Sequence, residues 1–202
     1  MRSACSDQPW NRPYSAADAE RNILYSSFSE RPKHLDPAQS YSSNEVTFTG
    51  QIYEPPLQYH YLKRPYELIP LTATRLPQAR YLDADGNPLP DDAPPESVAF
   101  TYYDVSIRPG IYYQPHPAFA RDDQDRLRYH DLAEEDLSDI YSLSDFTATG
   151  TRELTAADYI YQIKRLAFRA NHSPVASLMA EHIRGFADFS DAAAAAQESL
   201  DV

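Results

Sequence analysis

Residues 98–111, with the sequence VAFTYYDVSIRPGI, contain the clearest strand pattern of the chain. Apolar and aromatic side chains alternate with polar ones along 98–102 and again along 105–107, with one slip in between. A period of two is typical of a strand that buries one face. Pro109-Gly110 then ends the pattern, because proline has no N–H to donate to a ladder. We therefore predict a strand over 98–108 that runs into a turn.

Helical patterns lie on both sides of this strand. Thr155-Ala156-Ala157-Asp158 predicts a capped helix start with a carboxylate in the first turn. An apolar stripe follows it, formed by Tyr159, Ile160, Ile163, Leu166 and Ala167. Further helices are predicted over 43–53 with Ser43 or Asn44 as cap, from Ser173-Pro174 to Gly185, and in a tail over 192–196.

The remaining ordered segments are predicted to be short. We expect strands over 23–28, 57–61 and 78–82, and a short apolar segment over 66–71. The cluster 83–87 is a turn, because Gly86 and Asn87 tolerate positive φ. Residues 29–37 and 88–95 are loops punctuated by proline, and 120–150 is an irregular acidic stretch with at most a short helix. Strands mixed with helices give the fold class α/β.

Composition excludes several classes of function. The 202 residues have a formal charge of -12, from 18 Lys and Arg against 30 Asp and Glu, and this field repels nucleic acid and anionic membrane surfaces. A single cysteine, Cys5, allows neither an internal disulfide nor a cysteine zinc cluster. A membrane helix needs about eighteen consecutive apolar residues, and the chain has no such run.

No catalytic or metal-binding pattern is present, so we expect no enzyme activity, cofactor or metal. The six histidines contain no i, i+4 pair that could hold a metal ion from one helix. Asp83, Asp85 and Asn87 alternate like a calcium loop, but Gly86 is misplaced and no acidic residue closes the ring. A hydrolase would rest only on unpaired carboxylates.

Five segments, in this order, resemble the opening portion of family 5 extracellular solute-binding proteins of the oligopeptide, dipeptide and nickel type. They are LDP at 35–37, QIYEPPL at 51–57, YELIPLTA at 66–73, YDVSIRPGI at 103–111 and ELTAADYIYQIKRL at 153–166. The resemblance implies part of one lobe of a type II periplasmic-binding-protein fold, a mixed sheet with flanking helices and long proline-rich loops. It divides the chain into a tether at 1–21, a first-lobe segment at 22–186 and a helical or disordered tail at 187–202.

The same resemblance implies a function. The protein would be the substrate-binding component of an ABC importer, or its N-terminal fragment. It would capture peptides or other small solutes as a monomer and deliver them to permease subunits in the inner membrane. It would lie in the periplasm or on the outer face of the inner membrane, with Cys5 as a lipidation site after small residues. An alternative is a truncated interaction module or remnant without transport. A lobe without its partner would expose apolar surface.

Ligand contacts are predicted at two places. The loop after the first strand faces the cleft in this family, which makes Phe28, Ser29, Glu30 and Arg31 candidates; the alternative is a solvated turn. Tyr53 and Glu54 are further candidates, although they could instead only anchor the first helix. Glu30 and Arg31 suit the opposite charges at the ends of a peptide.

Overall fold

The structure, a computed structural model, describes residues 25–198. This part of the chain contains four α-helices: α1 (Ser43–Ile52), α2 (Ala156–Ala167), α3 (Ala176–His182) and α4 (Phe186–Glu198). It also contains five short strands: β1 (Leu57–Tyr59), β2 (Leu68–Pro70), β3 (Ala79–Leu82), β4 (Pro88–Leu89) and β5 (Phe100–Tyr103). The fold is a small mixed α/β domain. The tether, Cys5 and Ile23-Leu24 lie outside the described residues.

The strands form two antiparallel sheets, whereas the sequence predicted a mixed sheet. β1 and β2 pair as a hairpin with Leu57 opposite Pro70. The other sheet has the order β4-β3-β5, and Leu82 of β3 faces Phe100 of β5. The predicted turn between β3 and β4 is present: the Asp83 side chain accepts hydrogen bonds from the backbone N–H of residues 85 and 87. Gly86 supplies the positive φ of 85° in this turn.

The largest departures from the predictions concern two strands and one loop. β5 ends at Tyr103, where the period of two slips, and Ile107 forms only a single bridge with Ala73. Residues 25–28 form no strand. The predicted loop at 88–95 begins with β4, which is an edge strand and therefore tolerates Pro88.

The N-terminal ends of α1 and α2 follow from side chains that satisfy free backbone N–H groups. The cap of α1 is Ser42, one residue before the prediction, and the carboxylate of Glu45 accepts a hydrogen bond from the Ser42 N–H at 3.1 Å. The helix α2 begins as predicted after Thr155, whose N–H donates to the carboxylate of Asp158 at 2.8 Å.

The two C-terminal helices differ from their predictions. α3 begins at Ala176 after a Val175 cap, because Ser173 and Pro174 form a turn ahead of the helix. α4 begins at Phe186 and is much longer than the predicted 192–196 tail. Gly185, with a φ of 82°, separates the two helices. α4 packs against α2 and so belongs to the folded body, across the predicted boundary at residue 186.

The core is thin. The buried apolar side chains of the described residues are Ala38, Ala73, Pro117, Ala120, Ala167 and Phe186, of which only Pro117 and Phe186 are larger than alanine. Residues 120–150 are irregular, as predicted, and contain the short 3-10 helices Glu134–Leu137 and Leu143–Asp145. Backbone hydrogen bonds join distant segments around the groove described next, among them that from the Leu154 N–H to the carbonyl of Ile111.

Candidate functional site

A groove of about 620 Å³ lies between the C-terminal end of α1 and one side of α2. Its volume falls within the range of about 300–1,000 Å³ that is usual for small-molecule sites. The lining side chains are mostly aromatic or charged. They are Leu35, Asp36, Pro37, Tyr53, Glu54, Tyr113, Arg152, Leu154, Asp158, Tyr159, Tyr161, Gln162 and Arg165.

The phenol of Tyr159 joins α2 to the segment after α1. Its hydroxyl donates to the backbone carbonyl of Glu54 at 2.8 Å and lies 2.6 Å from the hydroxyl of Thr72. Thr72 is fully buried, so this contact is anchored in the folded body. Burial raises the pKa of the Tyr159 phenol. The hydrogen bond fixes the backbone of Glu54 in the groove.

An ion pair between Asp36 and Arg165 forms part of the groove lining. The guanidinium group donates to both carboxylate oxygens, with N–O distances of 2.7 and 2.5 Å. Both side chains are about 30% exposed. The hydrogen bonds from Arg165 lower the pKa of Asp36 against the opposing effect of burial. This pair joins residues 129 positions apart in sequence and holds the 35–37 loop on α2.

A second bidentate ion pair, between Arg152 and Asp158, contributes another part of the lining. Burial acts to raise the pKa of Asp158, but the hydrogen bonds from Arg152 and Thr155 outweigh it and the pKa is lowered. The Arg152 guanidinium also lies over the ring of Tyr113, 4.8 Å from its centre. Burial, followed by the charge of Asp158, raises the pKa of Tyr113. The donors of Arg152 are thus directed at protein groups.

The two predicted ligand segments lie apart. Tyr53 and Glu54 line the groove, whereas Phe28, Ser29, Glu30 and Arg31 do not. Phe28 is 60% exposed and packs edge-on against Phe48 of α1, with ring centres 5.3 Å apart.

The backbone just after the 28–31 segment is tied to α1. The N–H groups of Lys33 and His34 donate to the Glu45 carboxylate at 3.2 and 3.0 Å. Neither Glu30 nor Arg31 forms an ion pair with any described residue. The contacts of this segment are those of a solvated turn packed on α1.

Most residues of the groove were not predicted from the sequence. Asp36 and Arg165 both belong to segments that carry the family resemblance, and their opposite charges were a usable signal. No sequence signal indicated Tyr113 and Arg152. They reach the groove only because residue 112 pairs with residue 153.

The groove lining contains two ion pairs, one further carboxylate and several phenols. Both arginines are paired with carboxylates, and its hydroxyl groups are phenols with no neighbouring histidine in the groove. Among the described residues, no group of three or more His, Cys, Asp or Glu side chains could hold a metal ion. No helix within 25–198 has the length and apolar character to cross a membrane.

No family model, no curated protein and no solved structure matches this chain.

Proposed function

We propose that this chain is part of the first lobe of a type II solute-binding protein, and that it captures peptides for an ABC importer. One observation supports this proposal most strongly. Three of the five segments that resemble family 5 solute-binding proteins, 35–37, 51–57 and 153–166, converge on one groove although they are distant in sequence.

The other two segments hold that arrangement in place. Thr72, in segment 66–73, contacts the hydroxyl of Tyr159. In segment 103–111, the carbonyl of Ile111 accepts a hydrogen bond from the Leu154 N–H at 2.8 Å. The Gly110 N–H also donates to the side chain of Glu153 at 2.5 Å. The resembling segments thus form one connected unit around the groove.

The groove suits a peptide better than an apolar ligand. Tyrosine rings offer wide apolar faces with polar tips, and Gln162 offers both a donor and acceptors. Peptide ligands present backbone N–H and C=O groups that such side chains can satisfy. Delivery to permease subunits, a location outside the inner membrane and a lipid on Cys5 belong to the same proposal.

Calorimetry tests the proposal with the full 202-residue chain and a pool of random tri- to pentapeptides. We expect saturable heat for the wild-type chain. Gln162→Trp fills the groove and should abolish the heat. Gln51→Trp places the same side chain on an exposed part of α1 outside the groove and should leave binding intact. Absence of heat from the folded wild-type chain, or equal binding by both variants, would contradict the proposal.

A second candidate function is an interaction module without transport. The β1–β2 hairpin favours it, because Tyr59, Tyr61, Leu62 and Tyr66 are each at least 68% exposed. Tyrosine is enriched at protein interfaces, and Arg64 lies 4.5 Å over the ring of Tyr66. This candidate predicts that Tyr61→Ser abolishes capture of a partner protein while peptide binding stays absent in every variant.

A further inference from the structure

Glu54 has the only carboxylate in the groove that pairs with no side chain. Asp36 is bonded to Arg165 and Asp158 to Arg152, whereas the Glu54 carboxylate has no hydrogen bond or ion pair within residues 25–198. The residue is exposed, and only its backbone carbonyl is held, by the Tyr159 hydroxyl. The main chain is therefore fixed, and the carboxylate is free to accept a ligand's donors.

Two tyrosine rings in the groove have no cation stacked on them within the described residues, although the charge of Arg165, which is itself paired with Asp36, acts on both phenols. Arg152 already covers Tyr113, but no Lys or Arg of the described chain lies over Tyr53 or Tyr161. These two rings are 48% and 66% exposed. The face of a tyrosine ring attracts cations, and the attraction strengthens as the cation loses water. Both rings and the Glu54 carboxylate therefore favour a positively charged ligand group.

The charge balance of the lining points the same way. Three carboxylates, of Asp36, Glu54 and Asp158, stand against two guanidinium groups, of Arg152 and Arg165. The two ion pairs cancel and the charge of Glu54 remains. A negatively charged ligand group would be repelled by the Glu54 carboxylate. It would also find the N–H donors of Arg152 and Arg165 already bonded to protein carboxylates.

We infer that the groove recognises a ligand's ammonium or guanidinium group, with the Glu54 carboxylate as its acceptor and the rings of Tyr53 and Tyr161 beside it. The inference rests on the proposed function and goes further, because it selects cationic peptides. It also moves recognition of the cation from Glu30, which the sequence favoured, to Glu54.

Three short peptides test this with the full chain: trialanine amide with a free amino terminus, N-acetyl-trialanine amide, and N-acetyl-Ala-Lys-Ala amide. Wild type should bind at least one of the cationic peptides about tenfold more tightly than the neutral amide. Preference for trialanine amide would assign the amino terminus as the cation; preference for the lysine peptide would assign the side chain. Either preference should disappear in Glu54→Gln.

Glu30→Gln is the matched control, since it removes an exposed carboxylate outside the groove and should keep the preference. Circular dichroism shows whether each variant is folded. Equal binding of all three peptides, or a preference that survives in folded Glu54→Gln, would overturn the inference and leave the proposed function standing. No binding of any peptide by the folded wild-type chain would overturn both.

Discussion

Glu45 is a buried carboxylate that connects α1 to the loop before it. Only 4% of the residue is exposed, and its two oxygens accept hydrogen bonds from the backbone N–H groups of Lys33, His34, Tyr41 and Ser42. A carboxylate that accepts several N–H bonds favours its charged form. The hydrogen bond from Tyr41, followed by those from Ser42 and His34, lowers the pKa of Glu45 from 4.5 to about 2.

This lowered pKa predicts an acid-sensitive contribution to stability. Because the pKa in the folded state lies below that of the unfolded state, the contribution is complete above pH 4.5 and is lost as the pH falls toward 2. Glu45→Gln removes the charge and one acceptor for the four donors. We expect its melting temperature to be several degrees lower than that of wild type at pH 7, with the difference shrinking toward pH 2.

Glu96→Gln is the control for this measurement, because Glu96 is exposed and its side chain forms no hydrogen bond within 25–198. Its melting curve should follow that of wild type across the same pH range. A Glu45→Gln difference that stayed constant down to pH 2 would show that the charge of Glu45 is not the stabilising feature.

At the scale of elements, the turn at Pro117–Phe119 packs directly on Gly150. Residues 116 and 150 exchange two backbone hydrogen bonds, at 2.9 and 3.1 Å. A Cβ atom at Gly150 would lie 2.6 Å from the carbonyl carbon of Phe119, and closer still to its oxygen. Backbone atoms cannot yield as a flexible side chain does, so this position accepts only glycine.

Two alanine substitutions should therefore have opposite effects. Gly150→Ala must displace the 117–119 turn and should lower the free energy of unfolding by about 1–3 kcal/mol. Gly50 lies within α1, and a Cβ added there has nothing within 4 Å. Gly50→Ala should therefore raise the free energy of unfolding by about 0.5–1 kcal/mol. Urea denaturation measures both. Stabilisation by Gly150→Ala would show that the two segments are not in contact.

Elements with strong local signals were predictable from sequence. The helix α2 was found because its cap, first-turn carboxylate and apolar stripe agree, and β3 because a turn cluster follows it. The start of α4 was not predicted, because the strongest helix propensity lies in the alanine run at 192–196. Gly185 and Phe186 decide where the helix begins. β4 was missed because two prolines suggested a loop.

The groove was only partly predictable, because pairings between distant residues build it. Tyr53 and Glu54 were found through the resemblance. The contact of Arg165 with Asp36 and that of Tyr159 with Thr72 span 129 and 87 residues, and no periodicity encodes them. The 28–31 segment was favoured by analogy with the family cleft, but the hydrogen bonds of residues 33 and 34 with Glu45 tie the end of that loop to α1.

At the scale of the whole molecule, many large apolar side chains are exposed to solvent and few are buried. Within residues 25–198, Pro117 and Phe186 are the only buried apolar residues larger than alanine, while Ile52, Tyr61, Leu62 and Tyr141 are each at least 63% exposed. Burial of apolar surface is the main source of folding free energy. Such a thin core gives little stability, and the exposed side chains form surface suited to a partner.

The isolated chain should consequently unfold at a low temperature and bind the dye ANS as it does so. Differential scanning calorimetry and dye fluorescence measure these properties. Saturation with a peptide that binds the groove should raise the melting temperature, because the ligand binds only the folded state. A sharp cooperative transition without dye binding would instead favour a self-sufficient interaction module.

Hydrogen–deuterium exchange of the full chain, with and without a saturating peptide, tests the central claim most directly. A groove that binds peptide predicts slower exchange in 35–37, 53–54 and 158–165, with the β1–β2 hairpin at 57–70 unchanged. Slower exchange in the hairpin alone, or none anywhere at peptide saturation, would contradict the assignment of this groove as the site of peptide capture.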